Sequence, residues 1–279
     1  MLRRLAALLL IAVFLLPGAA EAQESRWAKI RSDGEHFADD IVHIWTSPFR
    51  ADGTDLVVWG SVAAGLVGIA IFDDEFQDWI RDNPDALPVR VLAPMQDPKP
   101  MSLLGYTSYL LLLSGGLYAT GLAFDNDDLR DAGIGCATAD ISGTFARHLL
   151  ARLLGRMRPA STRNPYIIRP LAWGDWEMRS FPGGHAANIM ACTAFWNNRF
   201  DLGFVGPILY IAATAIGMAR VVDKAHWTTD TLFGIFFGWS VGTAVADRFN
   251  ERRDESDDPA AALVGPPPLG FTIGWRIPL

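Results

Sequence analysis

The stretch that decides the fold class lies at residues 219–230 and reads ARVVDKAHWTTD. It is flanked by two long apolar runs, at 204–222 and 232–245, which are typical of buried or membrane-facing helices. His226 and Asp230 lie four residues apart within it. If a helix begins near His226, both side chains share one helix face. Asp230 would then accept a hydrogen bond from one imidazole nitrogen and leave the other nitrogen basic and nucleophilic.

Other helical patterns occur on both sides of this stretch. They lie at 56–72, 103–124, 132–156 and 186–197. With the two apolar runs these make six helices, and almost no alternating strand pattern accompanies them. The sequence therefore predicts an all-α protein built as a six-helix bundle.

The chain outside the bundle divides into three parts. Residues 1–22 combine arginines, an unbroken apolar run and an A-x-A pattern, which predicts a signal peptide; an uncleaved membrane anchor is the alternative. Residues 23–54 form an amphipathic N-terminal segment. The helical domain is then 55–250, followed at 251–279 by a short irregular tail, first acidic and then proline-rich. Both interpretations of the N-terminus place the mature chain outside the cytoplasm.

Composition excludes some classes of function. The net charge is -7 and half of the residues are hydrophobic. Nucleic-acid binding needs a basic surface, so we expect no nucleic-acid partner. The two cysteines, Cys136 and Cys192, lie in apolar helical stretches, where free cysteine packs as a small hydrophobe. We therefore expect free thiols, with a disulfide as the alternative, and no metal-site spacing is present.

Two further segments carry groups that suit phosphate. Residues 155–159 read GRMRP, and Pro159 is expected to end a helix and leave Arg158 at its mouth. Arg220 supplies a second guanidinium, and such planar groups match phosphoryl oxygens.

The other segment, at 181–185, reads FPGGH. Gly183 and Gly184 let backbone N–H groups approach an anion at the start of the next helix. His185 is placed there to protonate a leaving alkoxide. Each of these short motifs is common for purely structural reasons, but their order on successive helices indicates phosphoryl chemistry.

Together the three segments resemble the signature of the type 2 phosphatidic acid phosphatase and vanadium haloperoxidase superfamily, over residues 151–230. Its pattern is Lys-x6-Arg-Pro, then Pro-Ser-Gly-His, then Ser-Arg-x5-His-x3-Asp. The resemblance implies the superfamily's helical bundle and a phosphohistidine mechanism without metal or cofactor; haloperoxidases of this superfamily hold vanadate in the same pocket. It assigns these roles: phosphate binding to Arg158 and Arg220, general acid to His185, nucleophile to His226, and support of that nucleophile to Asp230.

The sequence departs from this pattern at three positions. The lysine falls on Ala151, and the two serines fall on Gly183 and Ala219. Each missing donor is expected to cost on the order of 10²–10³ in rate if nothing replaces it. At Gly183 the backbone N–H remains, so that loss is partial.

Three cations are candidates to replace the lysine. On a helix continuous with Arg158, Arg147 would lie about 6 Å beyond reach of the lysine position, and Arg152 would be turned about 100° away. Lys224, in the loop before His226, is therefore the preferred candidate.

The sequence thus predicts a metal-independent phosphatase for phosphate monoesters or pyrophosphates, with a lipid substrate such as phosphatidic acid or isoprenyl pyrophosphate. One alternative is a weakened relative that binds phospholipid head groups without turnover, and another is a soluble periplasmic acid phosphatase. We expect an exported, membrane-associated protein with a periplasm-facing site. The loop at 160–179 is expected to touch substrate or simply to pack.

Overall fold

The computed structural model describes residues 20–257. Within that range the chain forms nine α-helices and no β-strand; one isolated bridge pairs Arg156 with Ile168. The helices are α1 Ala20–Thr46, α2 Gly53–Ala70, α3 Asp73–Asp82, α4 Leu87–Leu92, α5 Thr107–Phe124, α6 Asp127–Leu154, α7 Gly184–Arg199, α8 Val205–Val222 and α9 Thr228–Asp257. Short 3₁₀-helices occupy Ser47–Arg50, Ala93–Met95 and Pro100–Gly105.

The predicted all-α class is confirmed, but the count of six helices is not. The six predicted helices correspond to α2 and α5 to α9. The amphipathic segment forms α1, and two short helices, α3 and α4, arise in the region before Pro100. Most of the predicted signal segment and most of the predicted tail lie outside the described residues.

The pair α7 and α9 forms the centre of the bundle. Glycines on α9 recur every four residues at 234, 238 and 242, and each faces the backbone of α7 or of the residue before it. A Cβ added at Gly238 would lie only 2.2 Å from the carbonyl oxygen of Ala187. Small residues at this spacing let two helix backbones approach directly. This contact places Gly183 against α9, where its N–H donates to the carbonyl oxygen of Asp230 at 2.8 Å.

A disulfide joins the centre to its neighbour α6. Cys136 and Cys192 are both fully buried and are bonded to each other. The expectation of free thiols is therefore wrong. The reason is tertiary: α6 and α7 pack so that the two Cα atoms lie 4.5 Å apart, a proximity that sequence spacing does not reveal.

The last helix continues beyond the predicted domain end at 250. It runs to Asp257, and Arg252 forms two hydrogen bonds, of 2.7 and 2.8 Å, with the buried carboxylate of Asp40 on α1. Arg248 also binds Asp39 and Asp40. The start of the predicted acidic tail is therefore part of the bundle, because these ion pairs fasten α9 to α1.

Three described helices, α2, α5 and α8, are long and apolar enough to cross a membrane. Only 6% of α2 is buried within the protein, so its apolar surface is almost wholly exposed. An exposed apolar surface of this extent indicates contact with lipid or another partner.

Candidate active site

The helix α6 ends before the arginine-proline segment. Gly155 adopts a left-handed backbone conformation with φ of 61°, and its N–H donates to the carbonyl oxygen of Ala151. This is a common helix C-terminus, and glycine adopts it without steric cost. The expectation that Pro159 ends the helix is therefore wrong, and Arg158 lies on an extended segment after α6.

Arg156, which the sequence analysis did not single out, is buried between two carboxylates. Its guanidinium lies 2.7 Å from Asp230 and 2.8 Å from Asp73, and it also donates to Thr229. Asp73 in turn accepts hydrogen bonds from the backbone N–H and the hydroxyl of Thr229. This network joins α3, the segment after α6, and the start of α9.

The predicted contact between Asp230 and His226 is not what the structure shows. The helix begins at Thr228, after the histidine, and His226 Nδ1 lies 2.5 Å from the backbone carbonyl oxygen of Ser180. A carbonyl oxygen can only accept a hydrogen bond, so Nδ1 carries the proton. The other nitrogen, Nε2, is left with a free lone pair.

Asp230 acts on His226 through its neighbours. Its carboxylate accepts hydrogen bonds from Ser180 Oγ at 2.5 Å, from the Trp227 N–H at 3.0 Å and from Arg156 at 2.7 Å. Asp230 therefore positions Ser180, whose carbonyl holds the imidazole, and Trp227, which follows His226 in the chain.

The second histidine lies against the loop between α4 and α5. The ring of His185 is edge-on to Tyr106 with ring centres 4.3 Å apart, and the backbone of Gly105 lies directly against it. The Tyr106 hydroxyl donates to Asp97 at 2.8 Å. No motif marks this loop in the sequence, so its part in the site was missed.

Arg220 is buried beside two carboxylates, that of Asp223 at the end of α8 and that of Asp97 in the loop between α4 and α5. Its Nη1 lies 2.7 Å from Asp223 and 3.4 Å from Asp97, and Asp223 also accepts the backbone N–H of Asp97. These contacts orient Arg220, and its Nε remains without a partner.

Several buried side-chain nitrogens around the two histidines have no hydrogen-bond partner in the described part of the chain. Among the described residues, five buried nitrogens of this region have no hydrogen-bond partner: Arg147 Nε, Arg158 Nε, Arg179 Nε, Arg220 Nε and His185 Nε2. Buried donors are normally satisfied, and an unsatisfied one costs about 1–3 kcal/mol. A polyanion such as phosphate supplies the missing acceptors.

Both histidines lie in a part of the chain that matches a known family. Residues 133–254 match the family described as the PAP2 superfamily. The chain carries a PAP2 superfamily domain. It is also 30% identical over 115 residues to lipid A 1-phosphatases of Rhizobium etli and Rhizobium johnstonii, over 39% of this chain. The alignments cover 47% and 44% of those relatives, so the chain spans about half their length. No solved structure matches the chain.

The PAP2 domain contains both histidines but not the whole site. It also contains the arginine cluster, which consists of Arg147, Arg158, Arg179 and Arg220. Asp73, Asp97 and Tyr106 all lie before residue 133, where the family match begins. The helices and loop preceding the PAP2 domain therefore complete the wall around His185 and the carboxylate network behind His226.

Electrostatics keep both histidines of the PAP2 domain neutral. Burial, and then the charges of Arg158 and Arg220, lower the pKa of His226 well below 6.5. Burial and Arg220 lower the pKa of His185 to about 3, against the opposing charge of Asp97. The arginines also act on one another: burial and Arg220 lower the pKa of Arg158 to about 10. A site with this excess of positive charge favours an anion.

The side chains of Lys224 and Arg147, two of the candidates to replace the missing lysine, lie in different surroundings. Lys224 is exposed and has a left-handed backbone, and its carbonyl oxygen accepts a hydrogen bond from the N–H of Ala160. Arg147 instead lies over the start of α7: a Cβ on Gly184 would be 2.7 Å from its Nη1. Its charge acts on both His185 and Arg158.

The loop at 160–179 reaches the PAP2 domain's arginine cluster. The Arg158 guanidinium lies 4.4 Å from the ring centre of Trp176, and that of Arg179 lies 5.7 Å from the same ring. Stacking of this kind holds a guanidinium in place while its N–H edge stays free. Trp173 stacks instead on Arg152, and its backbone carbonyl oxygen accepts a hydrogen bond from Arg179 at 3.0 Å.

Proposed function

We propose that this protein is a metal-independent phosphatase that hydrolyses a phosphorylated lipid through a phosphohistidine formed on His226. The observation that carries the proposal is the group of buried, unpartnered arginine nitrogens around two neutral histidines. These guanidinium groups supply the positive charge that a transferring phosphoryl group needs, without a cofactor.

In the first step, His226 Nε2 attacks phosphorus. Its Nδ1–H is held by the Ser180 carbonyl, which supports the positive charge that grows on the ring. The bond from phosphorus to the leaving oxygen breaks, and that oxygen takes its electron pair. His185 then donates a proton to this oxygen, which leaves as an alcohol or as a phosphate.

His185 must be protonated to do this, although its pKa is low. The pKa of about 3 arises from burial and from Arg220, Arg147 and Arg158. A phosphate dianion at the centre of these charges offsets them and raises the pKa of His185. Substrate binding therefore supplies the condition for general-acid catalysis.

In the second step, water attacks the phosphohistidine. Neutral His185 now accepts a proton from that water, as the same group must in the reverse direction. The bond from phosphorus to Nε2 breaks, the electron pair returns to His226, and inorganic phosphate is released. The backbone N–H groups at the start of α7, near Gly184, favour negative charge throughout.

Three observations support a lipid substrate at the cell envelope. The two Rhizobium relatives carry the name lipid A 1-phosphatase. Three helices have the length and composition of membrane spans. The buried disulfide suits an oxidising compartment, which supports the expectation of an exported chain with a periplasm-facing site.

The test is phosphate release by the purified full-length protein in mixed micelles with a chelator present. The panel is lipid A, phosphatidic acid, isoprenyl pyrophosphate and p-nitrophenyl phosphate. We expect turnover of at least one lipid. After a short exposure to substrate with radioactive phosphate, His226 should carry a label that is stable to base and lost in acid. The variant His226→Ala should show neither release nor label.

Other outcomes separate the alternatives. Release from p-nitrophenyl phosphate alone, by protein extracted without detergent, would indicate a soluble acid phosphatase. Tight lipid binding without release would indicate a head-group binder, in which Asp97 and Asp223 keep Arg220 from the phosphate. Full activity of His226→Ala would refute the phosphohistidine mechanism.

A further inference from the structure

A cavity of about 540 Å³, apart from the candidate phosphate site, lies between α1, α2, α6 and α9. Its walls are largely apolar and include Ile44, Trp59, Leu150, Phe237 and Val241. Cavities of this size hold small molecules or parts of larger ones. Nothing in the proposed chemistry uses it.

Most polar groups of this cavity are already engaged by the protein, whereas the buried Ser142 Oγ has no hydrogen-bond partner among the described residues. Asp55 forms the capping box of α2 with Asp52, and Ser240 Oγ donates to the carbonyl oxygen of Phe236. A polar or charged ligand would therefore gain few hydrogen bonds here while losing those to water. The cavity suits an apolar occupant.

A row of aromatic rings connects the cavity to the phosphate site. Phe237 in the cavity wall stacks on Phe233 at 5.9 Å between ring centres, and Phe233 contacts Phe181 at 4.6 Å. Phe181 follows Ser180, which holds His226, and precedes the Pro-Gly-Gly-His segment. The same helix α6 that lines the cavity with Leu150 also carries Arg147.

The other side of the cavity is continuous with the exposed apolar helix α2. Leu56 and Trp59 line the cavity, and Leu56 is 66% exposed. A chain that leaves the cavity on this side meets the surface that suits a membrane. One boundary of the cavity thus lies toward the phosphate site and the other toward lipid.

We propose that this cavity binds one acyl chain of the phosphorylated lipid whose phosphate is attacked by His226. The inference rests on the proposed function and adds a subsite to it. The contacting rings of Phe181, Phe233 and Phe237 extend from the segment that holds His226 to the cavity wall. Burial of methylene groups there contributes to binding the substrate and not to the chemical step.

The first experiment uses the wild-type protein and a phosphatidic acid with a diazirine near the end of one acyl chain, in vesicles. After photolysis, labelled peptides are identified by mass spectrometry. We expect labels at 142–150 of α6 and 237–244 of α9. Labels confined to the exposed faces of α2, α5 and α8 would overturn the inference. They would indicate that the acyl chain contacts the protein only from the bilayer and that the cavity binds something else.

The second experiment fills the cavity. Ala244 lines it, so Ala244→Phe should raise KM for dioleoyl phosphatidic acid about tenfold, roughly the effect of excluding two methylene groups, with kcat little changed. The matched control is Ala63→Phe on the exposed surface of α2, where we expect no change. If Ala244→Phe does not fold, as judged by circular dichroism, Ala244→Leu takes its place.

Short-chain substrate separates this inference from the proposed function. Dihexanoyl phosphatidic acid should be hydrolysed equally by wild type and Ala244→Phe, because its chains are too short to fill the cavity. Equal loss of activity toward both substrates would contradict the subsite. Absence of hydrolysis of any phosphate ester by the wild type would instead contradict the proposed function, and the photolabelling would still test the cavity.

Discussion

The imidazole of His226 is oriented by the backbone carbonyl of Ser180, 2.5 Å from Nδ1. The side chain of the same serine donates to Asp230, so one residue connects the carboxylate to the histidine. Substitution of Ser180 removes its hydroxyl but not its backbone carbonyl. The link to Asp230 can therefore be tested without removing the hydrogen bond that orients His226.

Ser180→Ala should retain part of the activity. The carbonyl that orients His226 remains, while Asp230 loses one of its donors. We therefore expect kcat to fall about tenfold, less than the roughly 10²–10⁴-fold loss on removing a group that itself transfers a proton. His226→Asn removes the nucleophile and should abolish turnover. Phosphate release measured on both variants, with circular dichroism as the folding control, checks this; loss of all activity in folded Ser180→Ala would contradict it.

Arg147→Ala should lower kcat/KM by about 10²-fold, because it removes a guanidinium that lies over the start of α7. The control is Arg152→Ala on the same helix, whose guanidinium binds the carbonyl oxygen of His148 and stacks on Trp173, and which should change little. Steady-state kinetics on one phosphate ester gives both values.

Rescue makes the Arg147 prediction specific. Ala151 is buried one turn nearer the site on the same helix face, and removing the Arg147 side chain leaves space beside it. The double variant Arg147→Ala/Ala151→Lys should therefore recover part of the lost kcat/KM. Equal activities of the single and double variants would show that Arg147 supports the fold and not the phosphate.

The sequence predicted the candidate histidines and arginines of the site but not the residues that contact and orient them. Arg147 was rejected because its distance was counted along a helix continuous with Arg158, whereas Gly155 ends that helix and lets the chain turn back. Asp97 and Tyr106 lie in a loop without a motif, and only tertiary packing brings them to His185. The glycines at 234, 238 and 242 were available as a signal, since their four-residue spacing predicts close helix contact.

Acid should destabilise the protein through its neutral histidines. His185 has a pKa of about 3 in the folded chain and 6.5 when exposed, so the unfolded chain binds more protons between these values. The stability that the folded protein gains by keeping His185 neutral is complete above pH 6.5 and is lost as the pH falls toward 3. Asp140, whose pKa burial raises to about 6, acts in the opposite direction, so the comparison needs a variant.

That variant is His185→Gln, which removes one of these titrating groups. Thermal unfolding above pH 6.5 and midway through the window should show a smaller acid-induced decrease in Tm for His185→Gln than for wild type. Sulfate, which stays dianionic across this range, should protect the wild type more at the lower pH. Parallel pH dependences for the two proteins would contradict the pKa of His185.

Direct packing of α9 on α7 predicts the effect of a single methyl group. Gly238→Ala would place a Cβ 2.2 Å from the carbonyl oxygen of Ala187, so the two backbones must move apart, which we expect to cost about 1–3 kcal/mol of unfolding free energy. Gly115→Ala is the matched control, because a Cβ there meets nothing within 4 Å and alanine favours the helix by roughly 1 kcal/mol. Since Gly183 is held against Asp230 by the same contact, Gly238→Ala should also lower kcat, whereas Gly115→Ala should leave it unchanged. Denaturation in detergent and phosphate release on both variants measure the two effects; a Gly238→Ala protein as stable and active as the control would mean that α7 and α9 do not pack through their backbones.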